Sequence, residues 1–308
     1  SSPVPAHQPL YFNEIDDINL CDLNQLTNTN IGDLYVRTAT GSSDSLVFYQ
    51  GYTATADVLA KINGRLISNT PFRPTGSIIV YARDMNDSVE MNFTIGNRLR
   101  AEFYGEDGND TLWGAALNDL LVGGSGSDML ISSDGNDTLW GDNIPTVWAE
   151  RQSGNAIGVG PHSDSLYGGN GADFLFGQSG NDAIYGEGGD DYSHGGDGND
   201  TIADTLGNNT LRGEAGADSL TGSSGNDILL GGSENDILIG FGGRDMMIGG
   251  TGLDNVQDTN DNDEDILIGD SSPLEADAAP VGPVTNFAVQ SANDALLAPI
   301  FANWLTLT

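Results

Sequence analysis

GGDGNDTIA, residues 195–203, has close copies in GGSGSDMLI at 123–131, GGNGADFLF at 168–176, GSSGNDILL at 222–230 and GGTGLDNVQ at 249–257. Glycine weakens strands and helices alike, so a chain that repeats it needs a compensating interaction. With Gly105 as position 1 of a nine-residue frame, position 6 reads Asp110, Asp119, Asp128 and Asp137. It resumes as Asp164, Asp173, Asp182, Asp191, Asp200, Asn209, Asp218, Asp227, Asp236, Asp245 and Asp254. Position 8 is apolar from Leu112 to Val256 in the same units, with Ser193 the one exception. After Asp254 two residues are inserted, and DILIGD at 265–270 closes the array with Asp265.

The period has a physical reading. Three residues such as Thr111-Leu112-Trp113 form a short strand with the middle side chain inward and its neighbours outward. The six residues before them form a turn, where glycines supply dihedral angles that other residues resist. Two units make a coil of 18 residues. Successive coils stack as parallel strands about 4.8 Å apart, and only the stack can bury the leucines in a continuous core. The spacing therefore predicts an all-β parallel β-roll over 105–270. Residues 141–158 interrupt it. Because Asp137 and Asp164 are three whole periods apart, this segment reads either as one degenerate coil, with Thr146 and Asn155 in the aspartate position, or as a surface loop carrying Trp148 and Arg151.

Composition divides the 308 residues near Tyr104. Residues 1–104 hold 7 basic and 11 acidic side chains; residues 105–308 hold 3 and 34, and 37 of the 43 glycines. The N-terminal part reads as an irregular β-rich cap, or as the metal-poor start of the same solenoid, with strands over 34–38, 45–50, 65–68, 77–82, 88–94 and 99–104. Asp44-Ser-Leu and Asp87-Ser-Val imitate the later Asp-x-apolar step. Residues 271–287 read as a Pro/Ala-rich connection, and the apolar end at 293–308 as a short helix, a capping segment or an assembly segment. A net charge of −35 opposes binding to bare nucleic acid or anionic membrane. There is no run of about 18 apolar residues that would span a membrane. A chain opening on Ser1 without a methionine is expected either to have lost a leader or to have been trimmed.

The aspartate column asks for cations. A hard ion such as Ca²⁺ takes six to eight oxygens from carboxylates and backbone carbonyls, and a glycine-rich turn can present its carbonyls without steric cost. Two turns on the same side, 18 residues apart, can sandwich one ion. Nine Asp–Asp pairs have that spacing, from 110/128 to 236/254, and two more contain Asn209, which predicts about nine calcium ions on two edges of the stack. Mg²⁺ demands stricter octahedral geometry, and zinc lacks Cys and His ligands here. D-x-D-x-D at 261–265 is the start of an EF-hand loop in outline, but Ile266 stands where glycine is needed and Ser272 where a glutamate would be.

At this point GGNGADFLF, GGDGNDTIA and GGTGLDNVQ resemble the nonapeptide G-G-x-G-x-D-x-U-x of the RTX, or hemolysin-type calcium-binding, family. The resemblance covers roughly residues 105–270. It implies a calcium-bound β-roll, secretion, bacterial origin and calcium-triggered folding outside the cell. It does not name an activity, because the family includes toxins, proteases, lipases, adhesins and surface-layer proteins.

Catalytic signatures are missing. The sequence has neither H-E-x-x-H nor G-x-S-x-G, no phosphate-binding G-x-x-x-x-G-K-[ST], and a single lysine, Lys61. His194 falls at an outward strand position and His162 beside the interruption, and both are expected to be inert. The chain is therefore expected to be a secreted, noncatalytic structural protein, a subunit of an extracellular filament, sheath or surface layer that associates with itself head to tail. An adhesin or ligand-binding module with cell-surface or glycan contacts, carried by Trp113, Trp140, Trp148 and Tyr167, is the alternative, as is the noncatalytic part of a larger secreted enzyme.

Overall fold

A computed structural model describes residues 10–12, 30–31, 34–38, 41–50, 58–66, 73–74, 76–92, 99–144, 162–257 and 265–270. Over these residues the backbone forms two twelve-stranded sheets and one two-stranded pair, and no helix. The chain crosses from one sheet to the other every nine residues, so neighbours within a sheet are 18 residues apart. Leu112 lies in register with Leu130, and Leu121 with Leu139. Every strand pairing is parallel except those of Val58–Ile62 with Ser45–Gln50 and with Arg65–Leu66. This is the β-roll that the period requires.

The core is two files of position-8 side chains facing each other between the sheets. Leu112, Leu130, Leu166, Ile184, Ile202, Leu220 and Leu238 make one file, and Leu121, Leu139, Leu175, Leu211, Leu229 and Met247 the other, all fully buried. At roughly 1.5–3 kcal/mol for each buried aliphatic side chain, stacking supplies what a single coil cannot. Many strands run beyond the expected three residues, as in Leu120–Ser125 and Ser165–Asn170. Successive turns keep bonding around the corner: Gly198 N donates to Ala215 O at 2.7 Å.

The interruption at 141–158 adds no coil to the sheets. Met129–Asp134 pairs directly with Ser165–Asn170, and Thr138–Trp140 with Phe174–Ser179, across 36 residues instead of 18. No described strand lies between these pairs, and residues 145–161, with Trp148 and Arg151, lie outside the described residues. The two residues inserted after Asp254 act differently. Met246–Thr251 still pairs with Ile266–Asp270, at an offset of 20.

No break separates the N-terminal part at Tyr104. Strand Arg100–Asp107 runs through that position, and its Phe103 is in register with Val80 on one side and Leu121 on the other. Leu34–Arg37, Ser77–Tyr81, Ser45–Gln50 and Ser88–Asn92 continue the two sheets, so Val36, Leu46, Val80 and Val89 extend the core files. The sequence reading overlooked Val58–Ile62, which folds back antiparallel on Ser45–Gln50 and pairs in a hairpin with Arg65–Leu66, the last strand of that sheet. The segments at 271–287 and 293–308 lie outside the described residues.

Candidate metal centre

Each turn that leads into a strand places its sixth residue at a corner of the roll, so the aspartates form two files, one per edge. On the first edge the file runs Asp110, Asp128, Asp164, Asp182, Asp200, Asp218, Asp236 and Asp254. In every step the amide of one residue donates to the carboxylate of the next, at 2.7–3.1 Å. On the second edge it runs Asp119, Asp137, Asp173, Asp191, Asn209, Asp227, Asp245 and Asp265, linked in the same way at 2.6–2.9 Å. All sixteen residues singled out from the sequence are therefore in the two files. Two steps, Asp128 to Asp164 and Asp137 to Asp173, span 36 residues and are absent from the 18-residue pairs. The residues 261–264 of D-x-D-x-D lie outside the described residues, while Asp265 takes its place after Asp245.

One carboxylate oxygen is thus occupied by an amide. The other points into the turn. On the first edge the Oδ2 atoms of Asp110, Asp128, Asp164, Asp182, Asp200, Asp218 and Asp236 are buried and have no hydrogen-bond donor. Burial pushes Asp110 up to about 6, Asp128, Asp182, Asp200 and Asp218 up to about 7, and Asp164 up to about 9. A buried carboxylate without a partner costs several kcal/mol, and repeating that cost along an edge requires either protons or cations.

The glycine at position 1 shapes the space beside that oxygen. A Cβ built on Gly168 would lie 2.5 Å from Asp173 Oδ2 and 2.9 Å from the carbonyl oxygen of Gly186, one coil further on. A carboxylate oxygen and a main-chain oxygen converge where any side chain would intrude. Oxygen-only donors drawn from two adjacent turns fit a hard cation of calcium's size and ligand preference. Among the described residues no three His, Cys, Asp or Glu side chains gather as a metal cluster.

The two edges differ. On the second edge Asp119 Oδ2 accepts the amide of Ala115 and Asp227 Oδ2 that of Ser223, both at 2.6 Å. Ser132 and Asp204 stand in place of glycine at position 1, and Asn209 in place of aspartate. The turns of Asp119 and Asp227 thus satisfy both oxygens internally, while Asp137, Asp173 and Asp191 on the same edge keep a buried Oδ2 without a donor, as the first edge does.

Several contributors lie outside the aspartate column read from the sequence, where Asp44 and Asp87 count only as imitations of its Asp-x-apolar step. Asp44 and Asp87 extend the first file: the amide of Asp44 donates to Asp87 at 2.6 Å and that of Asp87 to Asp110 at 2.7 Å. Ala82, next in register to Gly105, puts a methyl where later turns leave room, which suits a metal-poor start. Asp142 and Asp204, outside the repeat column, are buried and each keeps one oxygen without a donor. The asparagines before the aspartates form a further ladder, as in Asn199 N to Asn181 Oδ1 at 2.8 Å. Their recurrence in G-N-D was the available signal. His194 lies at the outward position expected of it but is only 1% exposed, covered by Phe176 and Glu214. His162 serves the backbone, its amide donating to Ser179 O at 2.9 Å.

The family model described as RTX calcium-binding nonapeptide repeat (4 copies) matches residues 102–121, 113–143, 160–193, 194–229 and 221–256. No curated protein matches the chain. Among the described residues no helix is long and apolar enough to cross a membrane.

Proposed function

Because the chain belongs to the RTX calcium-binding nonapeptide-repeat family, we propose that it is a secreted, noncatalytic structural protein that folds on calcium and joins copies of itself into an extracellular filament, sheath or surface layer. The observation that carries the calcium half is the file of buried carboxylate oxygens without donors on the first edge. Calcium would supply the charge those oxygens face. The file residues and the position-1 carbonyls would hold it, and the stacked leucines would fix the turns at coil spacing. An ion present at 100 times its Kd adds about 2.7 kcal/mol. A few such ions therefore match the 5–15 kcal/mol net stability of a whole domain, which makes the fold conditional on the cation. RTX repeats occur in secreted bacterial proteins, where extracellular calcium would act as the folding signal.

The assembly half rests on the open form of a solenoid. The described sheets end on Asn255–Gln257 and Ile266–Asp270, and a terminal parallel strand offers backbone groups to another chain. Electron microscopy and light scattering of the native chain, with calcium and then with chelator, test it. Calcium-dependent filaments or sheets are expected, and monomers at every calcium concentration would overturn the assembly half. A second reading, a ligand-binding module, has the aromatic stripe of one outer face in its favour. Trp140 stacks on Phe176 at 4.1 Å, and Phe174, 52% exposed, lies beside Tyr192. Glycan-array binding that survives loss of assembly would favour it.

A further inference from the structure

The turn 204–209 departs from the repeat at both of its key positions: Asp204 stands where most turns open on glycine, and Asn209 where the file has aspartate. Read from the sequence alone, Asn209 is a site with half its charge removed. It still accepts the amide of Asp191 at 2.9 Å, but its amide nitrogen donates to Ser223 Oγ at 3.3 Å, so it offers a cation one neutral oxygen.

Asp204 changes that account. In a regular step the position-1 residue of the next coil turns its main-chain oxygen toward the glycine below, as Gly186 does toward Gly168. Above Gly186 the carboxylate of Asp204 takes that place. The two side-chain oxygens nearest to a Cβ on Gly186 would be Asp204 Oδ2 and, at 2.6 Å, Asp191 Oδ2. Both residues are buried, 6% and 3% exposed, and neither Oδ2 has a donor. Asp204 is held in position through its other oxygen, which accepts the amide of Thr205 at 2.7 Å, and through its own amide, which donates to Thr221 O at 3.0 Å. Two oxygens so close to one point fit the coordination shell of a single ion with contacts of 2.3–2.6 Å.

We propose that Asp204 is the second carboxylate of the calcium site between turns 186–191 and 204–209, replacing the charge that Asn209 lacks. Regular sites draw one carboxylate from each of two turns; this one draws Asp191 from the lower turn and Asp204 from the first residue of the upper. The inference rests on the reading of the array as a calcium binder.

Equilibrium dialysis of the full chain against radioactive calcium tests it, at the lowest free concentration that saturates the native protein. Asp204→Asn and Asp204→Gly should each bind one ion fewer, because one carboxylate remains. The double change Asp204→Gly with Asn209→Asp returns the charge to its usual position and should restore the native number. If the single variants bind as many ions as the native chain, the two carboxylates share a proton instead and the inference is overturned. A native chain that binds no calcium would overturn the reading of the whole array, a different outcome. Should Asp204→Asn not fold with calcium, Asp204→Gly, the residue that opens most other turns, decides alone.

Discussion

The main-chain amide of Asp182 donates to one carboxylate oxygen of Asp200 at 2.8 Å, and the other oxygen of Asp200, buried in the turn, accepts from nothing. The same aspartate both stitches two coils together and presents a bare oxygen. On the opposite edge Asp227 uses both oxygens on amides, those of Asn209 at 2.7 Å and Ser223 at 2.6 Å. These two aspartates should respond differently to the same substitution. Asp200→Asn keeps the stitch and removes the charge, so at least one calcium should be lost and folding should need more calcium. Asp227→Asn should keep the ion count and cost about 1–3 kcal/mol in saturating calcium, because one buried amide loses its acceptor. Calcium dialysis and urea unfolding measure both. Equal calcium loss in the two variants would sink the distinction between a bare and a doubly bonded aspartate.

Acid should substitute for calcium. Burial raises Asp128, Asp182, Asp200 and Asp218 to about 7 and Asp164 to about 9 in the folded chain, above the roughly 3.9 of an unfolded aspartate. Between about pH 4 and 7 the folded state therefore holds more protons than the unfolded, and stability falls as pH rises. The protonation contribution is fully present below about pH 4 and is lost as pH climbs through 7. Chelated protein should show β-sheet circular dichroism in mild acid and lose it toward neutrality. With calcium the trend reverses, because protons and the ion compete for the same oxygens. A sheet signal in chelator that is flat or grows with pH would count against the buried file.

The parts legible in the sequence were those that obey the period. Leu112 through Val256 announced the core and Asp110 through Asp254 the two files, because a nine-residue repeat forces equivalent residues onto equivalent corners. What escaped obeys the stack and not the repeat. Asp128 meets Asp164 because the 36 residues from one to the other supply only one coil's pair of strands, Met129–Asp134 and Thr138–Trp140, a fact of pairing that periodicity leaves open. Asp204 lies outside the aspartate column, and only the turn below, which places Asp191 beside it, gives it a role. The hairpin of Val58–Ile62 carries its apolar residues outside the frame. Asp44 and Asp87 are legible as Asp-x-apolar steps, but their file runs at intervals of 23 and 43 residues, which no fixed spacing reveals.

Gly168→Ala should damage a site without straining the backbone. Gly168 has none of the left-handed dihedrals that bar a side chain, yet a methyl there would press on Asp173 Oδ2 and Gly186 O at 2.5 and 2.9 Å. Loss of one bound calcium and a higher calcium midpoint for folding are expected. Gly41→Ala is the control. Gly41 has φ +82 and open space around its missing Cβ, so alanine there should cost about 1 kcal/mol of backbone strain and leave calcium binding alone. An unchanged ion count in Gly168→Ala would show that the space beside the glycine is not part of the site.

Ser193 marks the weakest point of the core. It stands in register between Leu175 and Leu211, fully buried, with a hydroxyl that meets no partner. An unsatisfied buried hydroxyl costs about 1–3 kcal/mol, and the small side chain gives up the burial that each neighbour contributes. Ser193→Ala should therefore raise stability in saturating calcium by up to about 1 kcal/mol, and Ser193→Leu should raise it further, by a leucine's transfer energy of roughly 1.5–3 kcal/mol less any repacking. Ile202→Ala, in the opposite file, should lose about 2–5 kcal/mol. Thermal unfolding with calcium held constant ranks the three. A loss in Ser193→Ala would mean that its hydroxyl is bonded after all, and that the break in the leucine file is a feature the stack depends on.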